Sequence, residues 1–490
     1  MKKHSYYLSL AAFVVAALSI AVAATLLIVG IIHDRVNLLQ IIFLALIICG
    51  GIALALFSWK ALQIHQQCYD DPNTVAVKQR KAAQIRLADA QASAKKLSSQ
   101  MLSVLILMVA ACIFLYFYDI ALDVDPAPKS NALQNLSYET AEVLQITEEY
   151  YQGNQEMEDR PEGYQDLIVE ITSGEHTGKQ FSGVRNNLSV YYGTVLEVGD
   201  SVIIAISDDG ETAVIDSNYV YDYNRTTPLL ILVLFFLLVT VLVGGKVGAK
   251  SLLGLGLTIL CVFTILFPLL IGGWPTLPTV LGLCAFVTVV EFVMLGGINK
   301  KTTCAILGTV SGVAIAMLFG VLASVFLRLS GYQMKDAAGE IEALGQLRQT
   351  QAAGSGIRLN NLLVGGILIA TLGAVNDVAM SISSAMNELV TVNPNLTRKE
   401  LFKSGMNIGR DMVGTMTNTL ILAFVGGSFV EILYYSSLDL SFYELMSTTF
   451  FPIEIMQAIA SSVGVILAVP ISVLFGMLFF TRSHKSIQKL

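Results

Sequence analysis

Two stretches of this sequence carry polar side chains at helical spacing inside apolar surroundings, where a charge costs several kcal/mol unless it is paired or hydrated. Asp377, Ser381, Ser384 and Glu388 are spaced by four, three and four residues; Ser404, Asn407, Asp411, Thr415 and Asn418 are spaced by three, four, four and three. Either spacing places its set on one helix face. Between the two stretches lies Asn393-Pro394-Asn395, and Thr397 with Glu400 has the form of a capping box that starts the second helix near Arg398. In an antiparallel hairpin about Pro394, Asp377 is seventeen residues before the turn and Asp411 seventeen after it, beside Arg410. The spacing predicts one charged cluster, Asp377–Arg410–Asp411, at a single membrane depth, with Asn376, Asn407, Thr415 and Asn418 to complete its hydrogen bonding. One arginine with two carboxylates leaves a negative charge that a proton or a cation can neutralise. The plainer reading is an Asp–Arg pair that only fastens two helices. Glu291, in an apolar run of its own, is either a second proton site or a side chain reaching to the membrane interface.

The elements that must hold these residues are membrane helices. Of 490 residues 54% are hydrophobic and only 14% charged, and the mean hydropathy is +0.66. A soluble chain is nearer 25% charged, so the fold class is a polytopic α-helical membrane protein. Ten stretches are long enough to span about 30 Å of hydrocarbon at about 1.5 Å per residue. They lie near 8–32, 38–59, 101–121, 228–245, 251–272, 277–297, 303–328, 361–388, 405–430 and 453–480. Basic clusters at Lys2–Lys3, Lys60–Lys96, Lys246–Lys250, Lys300–Lys301, Arg398–Lys403 and Arg482–Lys489 then fall on one side, which the positive-inside rule makes cytoplasmic together with both termini. The organisation expected is a transmembrane hairpin in 1–60, a cytoplasmic helical connection in 61–100, a span in 101–121, an extracytoplasmic β domain in 122–227, a seven-helix core in 228–480 and a tail in 481–490. A plasma-membrane location follows, with lipid as one partner.

Residues 122–227 hold twenty Asp/Glu against five Lys/Arg. Strand-like runs at Glu139–Ile146, Asp166–Ile171, Gln180–Val184, Ser201–Ser207 and Thr212–Asp216, separated by glycine-rich turns, suggest a small β-barrel of OB or SH3 type. So acidic a surface repels phosphates, which excludes nucleic acid as a partner. The segment Met334–Ala353 reads as an amphipathic helix at the outer surface. Gly405-x-x-x-Gly409, Gly414, Gly365, Gly366 and Gly373 read as close-packing positions. No Cys-x-x-Cys pair occurs and the five histidines are far apart, so neither a metal site nor a cofactor is indicated. The run Gly296 to Thr302 lacks the glycine that a phosphate loop carries before its lysine, and Lys300 and Lys301 are most simply anchors. Hydrolase motifs are missing, so no enzymatic activity is expected.

Leu372-Gly373-Ala374-Val375-Asn376-Asp377-Val378-Ala379 resembles a motif of the YibE/F-like family of bacterial multi-spanning membrane proteins. So does Arg398 to Asp411, continuing through Gly414-Thr415-Met416-Thr417-Asn418-Thr419-Leu420. Ser173-Gly174-Glu175-His176-Thr177-Gly178 and Val198-Gly199-Asp200 are similar to the family as well. The resemblance covers about residues 130–480 and implies a permease of undefined substrate; the hairpin 8–59 is additional to it. A weaker likeness, to SecD/SecF and RND permeases, rests on Asp377, Asn407, Arg410 and Thr415. Two functions follow as expectations: a transporter coupled through Asp377, Arg410 and Asp411, or a non-transporting scaffold or envelope sensor whose external domain binds a partner protein.

Overall fold

The computed structural model describes residues 102–107, 109–122, 136–152, 162–188, 193–207, 220–329, 359–438, 440–448 and 450–480. The expected spans at 8–32 and 38–59, the connection 61–100 and the amphipathic helix 334–353 lie outside the described residues. The chain forms two compact units, one comprising Pro128–Gly245 and the other Met1–Ala127 with Lys246–Leu490.

The helical unit begins with α1 (Leu102–Leu122). Helix α2 (Thr226–Cys261) has one non-helical residue, Gly245, with φ 55° and ψ −138°. That φ is in the left-handed region, where a glycine carries no steric cost. A π-helical turn (Val262–Leu266) links α2 to α3 (Phe267–Ile271). Then come α4 (Thr276–Gly296), α5 (Lys300–Phe326), α6 (Leu359–Val392), α7 (Arg398–Gly427), α8 (Phe429–Ser437), α9 (Phe442–Ser447) and α10 (Phe450–Phe480). Among the described residues six helices are long and apolar enough to cross a membrane, or seven if the α7–α8 pair, bent by 62°, is one span. The protein is a membrane protein of fewer described spans than the ten expected. The stretch Thr226–Ile271 is two helices separated by a kink at Gly245, which is where the expected spans 228–245 and 251–272 divide, and the second is adjusted by the π turn.

Helix starts follow their caps. Thr397 and Glu400 form the expected capping box at the start of α7, and Asn299 caps α5 by accepting from the Thr302 amide at 2.9 Å. Lys300 extends its Nζ to the Phe479 carbonyl at 2.7 Å and so ties the start of α5 to the end of α10.

Small residues set how closely the core helices approach. A Cβ on Gly312 would lie 2.7 Å from Ala468 Cβ and 2.8 Å from Val375 Cγ1, and one on Gly464 would lie 2.7 Å from Ala316 Cβ. One on Gly308 would run into Ser472. Helices α5, α6 and α10 therefore meet nearly backbone to backbone, which is how helices gain dispersion contacts where lipid offers no hydrophobic drive. Gly405 and Gly409 pack α7 against Val473 and Val469 of α10 and against Met386 and Ile382 of α6. Gly366, Gly373 and Gly414, by contrast, face open space, so the packing expected of them is not found among the described residues.

The β unit is one curled antiparallel sheet. Its strands are β1 (Leu136–Gln152), β2 (Glu162–Ile171), β3 (Gln180–Leu188), β4 (Ser201–Ser207) and β5 (Val220–Tyr223), in the order β3-β2-β1-β4-β5. Alternate residues fill its core: Ala141 and Val143, Leu167, Val169 and Ile171, Val184, Val202 and Ile204. The fifth strand is Val220–Tyr223; the expected Thr212–Asp216 lies outside the described residues. Gln165 is fully buried with its amide satisfied, its Oε1 accepting from the Leu196 and Asn186 nitrogens and its Nε2 donating to the Leu196 carbonyl. Glu139 occupies the same inward row as Ala141 and Val143. Its Oε1 accepts from the Glu175 amide at 3.0 Å and lies 3.1 Å from His176 Nδ1, which ties down the Ser173–Gly178 turn. Across β2 and β3, Asp166 receives two 2.8 Å bonds from Arg185, whose guanidinium lies 4.0 Å over the Tyr164 ring.

Two predictions follow from these contacts. Gly312→Leu should lower stability by roughly 1–3 kcal/mol or more through overpacking, whereas Gly366→Ala should stay within about 0.5 kcal/mol, both read by thermal unfolding in lipid. The Arg185 hydrogen bonds hold the Asp166 carboxyl below its ordinary pKa. A depressed folded pKa stabilises at pH above the unfolded value, and that stabilisation is lost as pH falls through the folded value. Asp166→Asn should therefore unfold earlier than the parent at pH 7, and the difference should shrink below about pH 4 as the carboxyl protonates.

Candidate functional site

The candidate site is built where α4, α6 and the second half of α2 meet. Helix α4 is apolar almost throughout, and Glu291 and Thr288, one turn apart, are the polar side chains it turns toward α6. Opposite them is Asn376, 7% exposed, whose Nδ2 donates to Glu291 Oε2 at 3.1 Å. The Asn376 Oδ1 lies 3.5 Å from Thr288 Oγ1, whose hydroxyl donates at 2.7 Å to the Cys284 carbonyl. The Thr288 proton is committed to that carbonyl, so it is the Nδ2 bond to Glu291 that orients the asparagine amide. Gly254 of α2 forms the wall behind Glu291: a Cβ there would lie 3.0 Å from Glu291 Cγ. The glycine is what lets α2 come this close to the carboxylate stem.

Asp377 follows Asn376 on α6, with its side chain exposed, so a second carboxyl is carried by the residue next to the one that binds Glu291. Neither acid has an ion-pair partner among the described residues. Two carboxylates of like charge with amide, hydroxyl and glycine neighbours form a site that gains from a neutralising charge. Its donors suit a proton or a small hard cation, which takes oxygen ligands.

The remaining expected members lie elsewhere. Arg410 is on α7 and donates from Nη1 to Asn407 Oδ1 at 3.3 Å, one turn back on its own helix. Asp411, Asn407, Thr415 and Asn418 are exposed, and Thr415 Oγ1 turns back to the Met412 carbonyl at 3.1 Å. No ion pair joins Arg410 or Asp411 to Asp377, so the salt-bridged cluster read from hairpin arithmetic is not assembled. The helix face that α7 turns inward is its glycine face. Two contributors went unread in the sequence: Thr288, for which the three-residue spacing from Glu291 was a signal, and Gly254, for which there was none.

A second recess, of about 620 Å³, lies between α1 and the α3–α4 turn and is lined by Ile113, Phe117, Leu269, Trp274, Phe286 and further apolar residues. Its lining contains no ionisable group, so it cannot do the chemistry open to the Glu291 site.

The Asn376–Glu291 bond can be measured by a double-mutant cycle. Asn376→Leu should cost stability in the parent but much less in a Glu291→Leu background, with a coupling of roughly 0.5–2 kcal/mol by unfolding in lipid.

Residues 232–482, just over half of the chain, match the family described as YibE/F-like protein. The match contains Glu291, Asn376, Asp377, Arg410 and Asp411 and starts beyond the β strands, so it is shorter than the 130–480 expected. No curated protein and no solved structure matches the chain, and the likeness to SecD/SecF and RND permeases gains no support.

Proposed function

Because the chain belongs to the YibE/F-like family, a family of membrane proteins, we propose that it is a permease in which Glu291 and Asp377 form a proton- or cation-coupling site oriented by Asn376. The observation that carries this reading is the bond from buried Asn376 to Glu291 with a second carboxyl on the adjacent Asp377, neither acid having a basic partner among the described residues. Charges carried on membrane-spanning helices without a counter-charge mark ion pathways more often than joints. A scaffold would use its charges as fasteners, but no ion pair joins α6 to α7. In this reading the protein carries no enzymatic activity, its substrate is a solute outside the coupling site, and the basic clusters hold both termini in the cytoplasm. The acidic β unit is then extracytoplasmic, and its strand order reads as a five-stranded barrel of the OB kind.

Proteoliposomes loaded with a pH-sensitive dye provide the test. Imposed gradients of lithium, sodium, potassium or calcium should drive proton movement with the parent protein. Glu291→Gln and Asp377→Asn should each slow it by on the order of tenfold, about 1.4 kcal/mol. Parent-like rates in both variants, or no proton movement with any of the four cations, would sink the proposal.

A further inference from the structure

Helix α7 turns one face inward and leaves the other uncovered. Leu401, Gly405 and Gly409 are buried against α6 and α10. On the other side Asn407, Arg410, Asp411, Gly414, Thr415 and Asn418 are all exposed. Arg410 and Asp411 are 12 and 13 residues into this 30-residue helix and five and six residues inside the expected span 405–430, about 8–9 Å past its start at 1.5 Å per residue. An arginine and a carboxylate within the span are costly against hydrocarbon, and a polar partner removes that cost.

We propose that this face is the interface of a homodimer, in which Arg410 of each copy pairs with Asp411 of the other. Adjacent opposite charges are self-complementary under a two-fold axis along the membrane normal. The two α7 helices then run parallel at equal depth, and residue i meets j while j meets i. The open space over Gly414 admits the backbone of a neighbouring helix, and Thr415 and Asn418 are placed to hydrogen-bond across it. The other apolar stretches of the chain are poor occupants by composition: residues 8–32 and 38–59 contain no Asp, Glu, Lys or Arg and offer no counter-charge. A second copy supplies both signs. The inference does not depend on ion coupling, since it concerns α7 and leaves Glu291 and Asp377 untouched.

The experiment counts subunits of the full chain in lipid nanodiscs by single-molecule photobleaching and follows cross-linking of Thr415→Cys by a short bis-maleimide, with Leu322→Cys on α5 as a control. The proposal requires a dimer that cross-links through position 415 at least tenfold more than through 322. Arg410→Asp alone and Asp411→Arg alone should each be monomeric, because each brings like charges together. Mixing the two differently tagged variants should restore a heterodimer, since two arginines then face two aspartates; this recovery also shows that each variant folds. A monomeric parent overturns the proposal, including the case where position 415 resists a membrane-permeant maleimide because another segment of the chain covers it. Dimers unaffected by either single variant overturn it too.

Discussion

Hydrocarbon cannot solvate a polar group, so every donor and acceptor inside the bundle must be met by another part of the protein. The Asn376–Glu291 hydrogen bond is where that constraint is most demanding, and much of the surrounding structure accommodates it. Thr288 turns its hydroxyl back to its own helix at the Cys284 carbonyl, and Gly254 gives up its side chain so that α2 can close against the glutamate. The glycine contacts among α5, α6 and α10 then hold α6 rigidly, so that Asn376 is presented at one height and one rotation. Stability and site geometry are in this sense one problem, solved by small residues on one side of α6 and an amide on the other.

The hairpin of α6 and α7 shows what sequence arithmetic can and cannot supply. Counting residues from Pro394 fixes how far along its helix each charge sits, and the capping box at Thr397 sets the zero of that scale. Distance along an axis says nothing of rotation about it. Rotation of α7 was decided by Gly405 and Gly409, whose missing side chains allow close contact with Val469 and Val473, and which carry the polar face away from Asp377 as a result. The partner that Asn376 does have, Glu291, is 85 residues earlier in the chain. No local periodicity connects two residues at that separation; only the packing of α4 on α6 does.

The β unit was more legible, because a two-residue period is local. Ser201–Ser207 was placed to the residue, and β1, β2 and β3 were found but read too short, since their ends are polar and are held by pairing rather than by burial. The short strand Val220–Tyr223 was missed because four residues next to an apolar helix carry no alternation of their own. Glu139 is the other surprise: a glutamate in the inward row reads as a break in the pattern, yet it is what binds the Ser173–Gly178 turn to the sheet.

The π turn at Val262–Leu266 has the character of a phase adjuster. A helix advances about 100° per residue, and a π turn absorbs one residue without advancing the face, so the segments on its two sides are out of step with a regular helix. Upstream, Gly254 faces Glu291; downstream, Leu269 and Leu270 face the apolar core. One surplus residue lets both be true at once. Its removal would turn Gly254 by about 100° relative to Leu269 and Leu270.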